Sequence, residues 1–198
     1  MTESIERPTR RRNAATTRAA ILVSARQAFA RSGYDGAGVR EIAHGAGVTA
    51  MLVNRYFGSK EQLFAEAIAA SMATTSVLTR RLVESSISGA ELAAALVDIT
   101  QADATPLEGF QILLRSAASE RAAAIGREQI ERFHQQSIET ALGGDLAPQR
   151  AATLIAIVAG FQMMRQMLGL AALAKGRPQE LVAVLGPLLQ RLLDGAKG

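Results

Sequence analysis

Apolar residues recur along most of this chain with the spacing of a helix surface. Ile21, Leu22, Ala25, Ala28 and Phe29 stripe one side of Thr17–Ser32 at i, i+3/i+4. That stripe predicts a first helix, which Gly33 ends as a C′ residue, with Tyr34 tucked into a small core. Two shorter segments follow. Val39–Ala46 predicts a helix with Gly38 as a tolerable N-cap, and Thr49–Phe57 predicts another. Gly47 supplies the left-handed backbone that a turn of roughly three to four residues between them demands. Ile42, Ala43, Ala46, Val48 and Val53 fall where two steeply crossing helices need apolar or small contacts. On the second short helix Val53 and Phe57 turn to one side. Met51, Asn54 and Arg55 turn to the other, with Ala50 and Leu52 on the flanks. Ser59 with Gln62 has the form of a capping box, so a fourth helix is expected from there to about Arg80.

Beyond Ala65 the same period predicts helices over Ser88–Gln101, Pro106–Ser119, Glu120–Leu142, Pro148–Leu173 and Pro178–Leu193. Gly89, Pro106, Gly143-Gly144, Pro148 and Gly176-Arg177-Pro178 punctuate them, and Pro suits the first turn of three. The last two are the most apolar. Leu154, Ile157, Val158, Phe161 and Arg165 line one, and Leu181, Leu185, Leu188, Leu189 and Leu192 stripe the other. The fold class is all-α, a helix-turn-helix head on a helical body. Residues 1–16 form a flexible basic arm, 17–64 the head and 65–198 the body.

With 198 residues, 48% of them hydrophobic, the chain can bury a sizeable core. The absence of cysteine excludes disulfides, thiolate catalysis and Cys-based zinc sites, and fits a reducing compartment. Charge changes the picture only when divided. Residues 1–64 carry ten Arg/Lys against five Asp/Glu, a net of +5, whereas 65–198 carry 12 against 13. The bland reading is a solvated basic face. Beside a helix-turn-helix it becomes the footprint expected for phosphate contact. Arg7, Arg10, Arg11 and Arg12 lie in the arm, which either reaches DNA or only solubilises the chain.

A helix with one apolar side and a small, mostly polar tip fits the ~12 Å-wide major groove. Asn54 suits a bidentate pair with adenine, Met51 or Leu52 a thymine methyl, and Arg40 and Arg55 guanine. The amides that open the Ser59 helix, with Lys60 beside them, form a natural phosphate clamp. Catalytic chemistry is poorly represented. His44 and His134 are far apart, and no Ser/His/Asp grouping, phosphate-binding glycine loop or HExxH occurs. Glu128, Glu131 and His134 at i, i+3, i+6 read as a solvated, salt-bridged face beside Arg127 and Arg132 rather than as metal ligands. Ala151–Ala174 is long enough to span a membrane, but Gln162, Arg165 and Gln166 in its middle favour a buried interface helix. Met1–Ala15 lacks the apolar region of a secretory signal, so a cytoplasmic protein is expected.

Thr17–Phe64 resembles the DNA-binding head of the tetracycline-repressor (TetR) family of bacterial transcription regulators. The matching elements are Phe29 then Gly33-Tyr34, Val39-Arg40-Glu41-Ile42-Ala43, Ala46-Gly47-Val48-Thr49, and Tyr56-Phe57-Gly58-Ser59-Lys60-Glu61-Gln62-Leu63-Phe64, in that order and spacing. The resemblance implies base contacts from Arg40, Ala50, Met51, Leu52 and Asn54 and phosphate contacts from Thr49, Tyr56 and Lys60. Asn54 stands where the family usually has an aromatic, Leu52 where it often has a hydroxyl, and Gly38 and Val39 offer no hydroxyl at the head of the second helix. It implies a homodimer built on the last two helices, reading a pseudo-palindromic double-stranded DNA operator near the bacterial nucleoid, with no cofactor. It also implies a pocket for a small-molecule effector. Phe110, Leu113, Leu114, Ile130, Phe133, Met163, Met164 and Met167 are candidates to line it, with Gln162 or His134 to orient a polar group. With aromatics only 4% of the chain, a small apolar effector suits it better than a large planar one. The expected function is a repressor released by that effector. The alternative is a helical carrier or enzyme whose head is merely structural.

Overall fold

The computed structural model describes residues 7–72, 79, 82, 87–101 and 108–195, with side chains from residue 13 onward. Every regular element among them is helical. In chain order these are α1 (Arg7–Gly36), α2 (Val39–Gly45), α3 (Ala50–Phe57), α4 (Lys60–Ser71), α5 (Gly89–Ile99), α6 (Glu108–Ser116) and α7 (Glu120–Ile130). A π segment (Glu131–Gln135), α8 (Gln136–Leu142), α9 (Ala147–Gln162), a second π segment (Met163–Met167), α10 (Ala171–Ala174) and α11 (Pro178–Asp194) follow. The chain divides into two compact units, Met1–Ser71 with Leu107–Arg127 and Met72–Pro106 with Glu128–Gly198.

In the first unit α1 starts at Arg7, well before the expected Thr17, so the stretch expected as a flexible arm is helical from Arg7 onward. Pro8 costs nothing in a first turn, and Arg and Ala are good helix formers. Asn13, Ala15 and Thr16 are exposed, so this part of the helix buries no stripe that a periodicity search would find. Residues 1–6, and the side chains of the arm's arginines, lie outside the described residues. Gly33 breaks the helix as expected, with φ 68 and ψ −178. A Cβ there would stand 2.5 Å from the Arg115 carbonyl oxygen, so α1 and α6 approach backbone to backbone. The Tyr34 N–H freed by the break donates to Ser116 Oγ at 2.9 Å. Phe29 and Tyr34 then close on Phe64, edge to face at 5.0 and 4.9 Å between ring centroids. Arg26 pairs with Glu108 across the same helix contact. These ties join α6 to α1 in one compact unit, although in sequence it follows residue 64. The fourth helix is described to Ser71, and most of its expected extension to Arg80 lies outside the described residues.

In the second unit α5 lies across α11. Gly89 makes this possible, because a Cβ on it would sit 2.4 Å from both Gln190 N and the Gly186 carbonyl oxygen. Ser88 and Glu91 form a reciprocal capping box at the start of α5. Those Ser88 hydrogen bonds hold the Glu91 carboxyl below its usual range. Leu154, Val158 and Phe161 meet Leu181, Leu185 and Leu189 in one core with Leu92, Leu96 and Ile138. The two apolar stripes thus fill the chain's own interior, except at Leu188, which is 52% exposed. Two arginines among the described residues of this unit are buried, and both close helix ends. Arg150 donates to the carbonyls of Asp145, Leu192, Leu193 and Gly143, the last three at the ends of α8 and α11. Arg165 donates to Val97 and Leu173 carbonyls and to Thr100 Oγ1.

Two expectations fail here. The helix expected to run from Pro148 to Leu173 stops at the second π segment and breaks at Gly169, φ 62, before α10. His134 does not share a solvated face with Glu128 and Glu131. It is 4% exposed while both glutamates are exposed, because the π segment widens the turn and swings it inward. Its Nδ1 lies 3.3 Å from Thr79 Oγ1 and its Nε2 has no partner among the described residues. The described residues hold no cluster of metal-ligating side chains, and no helix among them is long and apolar enough to cross a membrane.

Replacing Gly33 by Ala should destabilise the protein by about 2–4 kcal/mol, from the positive φ and the blocked Arg115 carbonyl together, measured by urea unfolding. Burial pushes the His134 imidazole below its ordinary value of 6.5. The unfolded chain then binds the proton more readily, so stability falls as pH drops below about 6.5 and levels off below the folded value. A Tm series from pH 7.5 to 5 should show this loss, and His134→Leu should flatten it.

Candidate nucleic-acid interface

α3 has eight residues, too few to persist alone, so its ends and one face must be fixed from outside. Thr49 is its N-cap, in extended backbone, and its hydroxyl accepts from Leu52 N at 3.4 Å. Gly58 N donates to the Asn54 carbonyl at 2.8 Å at the other end. Ser59 Oγ accepts from Gln62 N at 3.1 Å, so α4 begins within two residues. Before α3, Gly47 has φ 67, and Val48 N reaches back to the Ala43 carbonyl at 2.9 Å. This tight return packs α2 against α3, with Ile42, Ala43, Val53 and Phe57 buried. Ser24 Oγ, on α1, donates to the Ile42 carbonyl at 2.9 Å and fixes the end of α2.

The opposite face of α3 is bare. Met51 is 79% exposed, Asn54 and Arg55 are exposed, and Ala50 and Leu52 are half-buried on the flanks. Thr49 is exposed as well, and Tyr56 is half-buried. Arg40 stands exposed in the first turn of α2. Lys60 opens α4 with its Nζ 4.7 Å over the Tyr34 ring, a cation–π seat the sequence did not announce. The structure therefore gathers the predicted contact residues on α3 and the helix starts beside it.

Neighbouring charges are mostly spent. Arg18 pairs with Glu66 at 2.5 Å and lies over the Phe57 ring at 4.6 Å, bracing the inner face of α3. Arg31 pairs with Glu41 at 2.6 Å. Arg31, then the Gly38 N–H, hold the Glu41 carboxyl below its usual range. Arg121 pairs with Glu61 at 2.9 Å. The Glu61 carboxyl is held low by its own backbone N–H and then by the Ser59 hydroxyl. Burial, then Glu61, pushes the Tyr34 phenol up. Among the described residues Arg40, Arg55 and Lys60 form no ion pair. Arg18 and Arg31 were missed as supports because their partners lie elsewhere in the fold, with no periodic signal.

The residues that the family resemblance assigns to a ligand pocket fall in both units. Phe110 and Leu113 are half-buried and Leu114 exposed on α6 in the first. In the second, His134 is buried, Ile130, Gln162 and Met163 are half-buried, and Phe133, Met164 and Met167 are exposed.

Comparison with known proteins divides the chain by sequence order and not by compact unit. Residues 21–67 match the model of bacterial regulatory proteins of the tetR family, and residues 87–193 match the tetracyclin repressor-like C-terminal domain. No curated protein matches the chain. Among solved structures, a transcriptional regulator from Rhodococcus sp. Rha1 is 26% identical with a TM-score of 0.60, over 91% of this chain and 98% of that one. A TetR-family regulator from Streptomyces coelicolor A3 is 23% identical with a TM-score of 0.57, covering 91% and 96%. The transcriptional regulator FadR from Bacillus subtilis, in complex with stearoyl-CoA, is 15% identical with a TM-score of 0.55, covering 89% and 98%. The C-terminal match alone spans more than half of the 198 residues, and the head match precedes it in order. On these matches the chain belongs to the tetracycline-repressor (TetR) family of transcriptional regulators.

Proposed function

We propose that this chain is a homodimeric, sequence-specific repressor that leaves its operator when a small apolar effector binds. The observation that carries this reading is the bare outer face of α3, with Met51, Asn54 and Arg55 turned outward from a helix capped at both ends. Asn54 pairs with adenine, Met51 or Leu52 contacts a thymine methyl, and Arg40 and Arg55 take guanine. Ala50 lets the backbone approach the groove wall. Thr49, Tyr56 and Lys60 take phosphates, and the first turn of α4 adds its amides.

One α3 reads too few base pairs for a specific site, which is the argument for a two-fold dimer on half-sites about 34–36 Å apart. The outward faces of α9 and α11 suit that contact. Val184 is 68% exposed and Leu188 is exposed on α11, and Ala152 and Ala156 are exposed on α9. The effector reading rests on the half-buried and exposed methionines of the second π segment, whose thioethers adapt to varied apolar shapes. A neighbour of the same fold holding stearoyl-CoA supports an apolar effector.

A gel-shift series on the DNA upstream of the chain's own gene tests the reading. Binding should survive competitor DNA and weaken steeply with salt. Lys60→Ala should weaken binding to all sequences alike and reduce the salt slope by about one. Asn54→Ala should relax preference at one base pair by about 1–3 kcal/mol, and an unchanged preference would refute the register of α3 on DNA. Leu188→Glu with Val184→Glu should give monomers in analytical ultracentrifugation and abolish tight operator binding, leaving each head folded.

A further inference from the structure

The start of α4 carries a cation and an acid in succession, and the two form no ion pair with each other. Lys60 is half-buried, with its Nζ 4.7 Å over the face of the Tyr34 ring. An aromatic face holds an ammonium in place without cancelling its charge. Tyr34 is 7% exposed, and the Phe29 and Phe64 rings and its N–H bond to Ser116 Oγ fix it in turn. Glu61 follows Lys60 directly. Its carboxylate accepts from its own backbone N–H and then from the Ser59 hydroxyl, the bonds that hold its pKa low. Those donors belong to the helix start whose amides are proposed above to take a phosphate. An acid there opposes that contact twice, by repelling the phosphate and by attracting Lys60.

Adjacent positions on a helix do not face each other, but these two side chains meet the same ring. Lys60 lies over its face. Glu61 stands at its hydroxyl, where it adds to burial in raising the phenol, while Arg121 acts the other way. The one ring thus brings carboxylate and ammonium near each other. Glu61 pairs instead with Arg121, in the first turn of α7, whose Nε donates to it at 2.9 Å. The corner that leads into Arg121 is pinned to α1. Ser116 Oγ takes the Tyr34 N–H, and Ser119 Oγ donates to Asp35 Oδ1 at 3.3 Å. The Arg121 side chain is 69% exposed, so the pair adds little to stability. Its place beside the phosphate clamp gives it a different use.

We propose that Arg121 is a positioning residue for DNA binding. By pairing with Glu61 it neutralises the acid at the phosphate clamp and leaves Lys60 its full charge for the backbone of the duplex. Arg121 acts through Glu61 and not by touching DNA. The inference rests on the Lys60 phosphate contact proposed above and adds the residue that keeps that contact available.

The test follows fluorescence anisotropy of a labelled mixed-sequence duplex of about 30 base pairs, titrated with the whole chain from about 50 to 200 mM salt, since a phosphate contact is felt on any sequence. Arg121→Ala should weaken binding about three- to tenfold at the lowest salt and make the salt dependence shallower. In the Glu61→Gln background the same substitution should cost less than about twofold, because no carboxylate is left to hold. An equal loss in both backgrounds overturns the inference, since Arg121 then acts on DNA directly or through the general field. No loss in either background overturns it as well. Lys60→Ala separates this outcome from failure of the reading beneath it. If Lys60→Ala leaves affinity unchanged, the phosphate clamp is wrong and Arg121 has nothing to position. If Lys60→Ala weakens binding while the Arg121 effect is indifferent to Glu61, the inference alone fails. Thermal unfolding checks that each variant folds, and Arg121→Met, which keeps the apolar stem, takes the place of Arg121→Ala in the same cycle if the alanine variant does not.

Discussion

An eight-residue helix cannot hold its own shape in water, and the head is built around that weakness. Helix nucleation costs more than two turns return, so α3 survives only through burial and capping. Val53 and Phe57 supply the burial, Thr49 the N-terminal acceptor and Gly58 the closing N–H. Each of these acts on the inner face or the ends. Nothing needed for stability lies on Met51, Asn54 or Arg55, which leaves those three positions free to change with the operator. The same separation explains why Asn54 can replace the family's usual aromatic without cost to the fold.

Helix ends govern the second unit too. Its carbonyl termini are closed from inside, by Arg150 on α8 and α11 and by Arg165 on α5. A long cationic side chain serves this better than water where the termini are buried, because one guanidinium satisfies several carbonyls at once. The arrangement ties distant elements by polar bonds of fixed direction, whereas the leucine core around them tolerates sliding. The two π segments lie in the same unit, where one extra residue per turn changes which side chain faces inward.

Much of this was legible in the sequence because a 3.6-residue period reports an apolar face. The stripes over Thr17–Ser32 and Pro178–Leu193 correspond to α1 and α11, and the sides given to Val53, Phe57, Met51 and Asn54 agree with their burial. Where no apolar face exists there was nothing to see, as at Arg7–Thr16. Where the period changes, the sequence misled. His134 was set on a wet face by counting in threes, and the π segment turns it inward. The breaks at Gly169 and the guanidinium caps had no local signal, since their partners are up to 68 residues away. The docking of α6 on α1 was invisible for the same reason. Only the fold brings Gly33 to the Arg115 carbonyl and Tyr34 to Ser116. The proposed contact residues came from pattern and family resemblance together, and the structure adds which of them are exposed.

That last distinction bears on what a net charge means. The surplus of the first 64 residues says only that cations outnumber anions there. The fold then spends Arg18, Arg26 and Arg31 on Glu66, Glu108 and Glu41, and leaves Arg40, Arg55 and Lys60 without an ion pair among the described residues. Ion pairs as exposed as Arg31–Glu41 are largely screened by water and add too little to account for the stability of the head. Their larger effect is subtractive. Pairing Arg18, Arg26 and Arg31 leaves Arg40, Arg55 and Lys60 as the unpaired cations among the described side chains of residues 13–64, and a few placed charges orient a polyanion where a diffuse excess only attracts it. On this view the acidic residues of α2 and α4 belong to recognition as much as the arginines do, although none of them is expected to touch DNA.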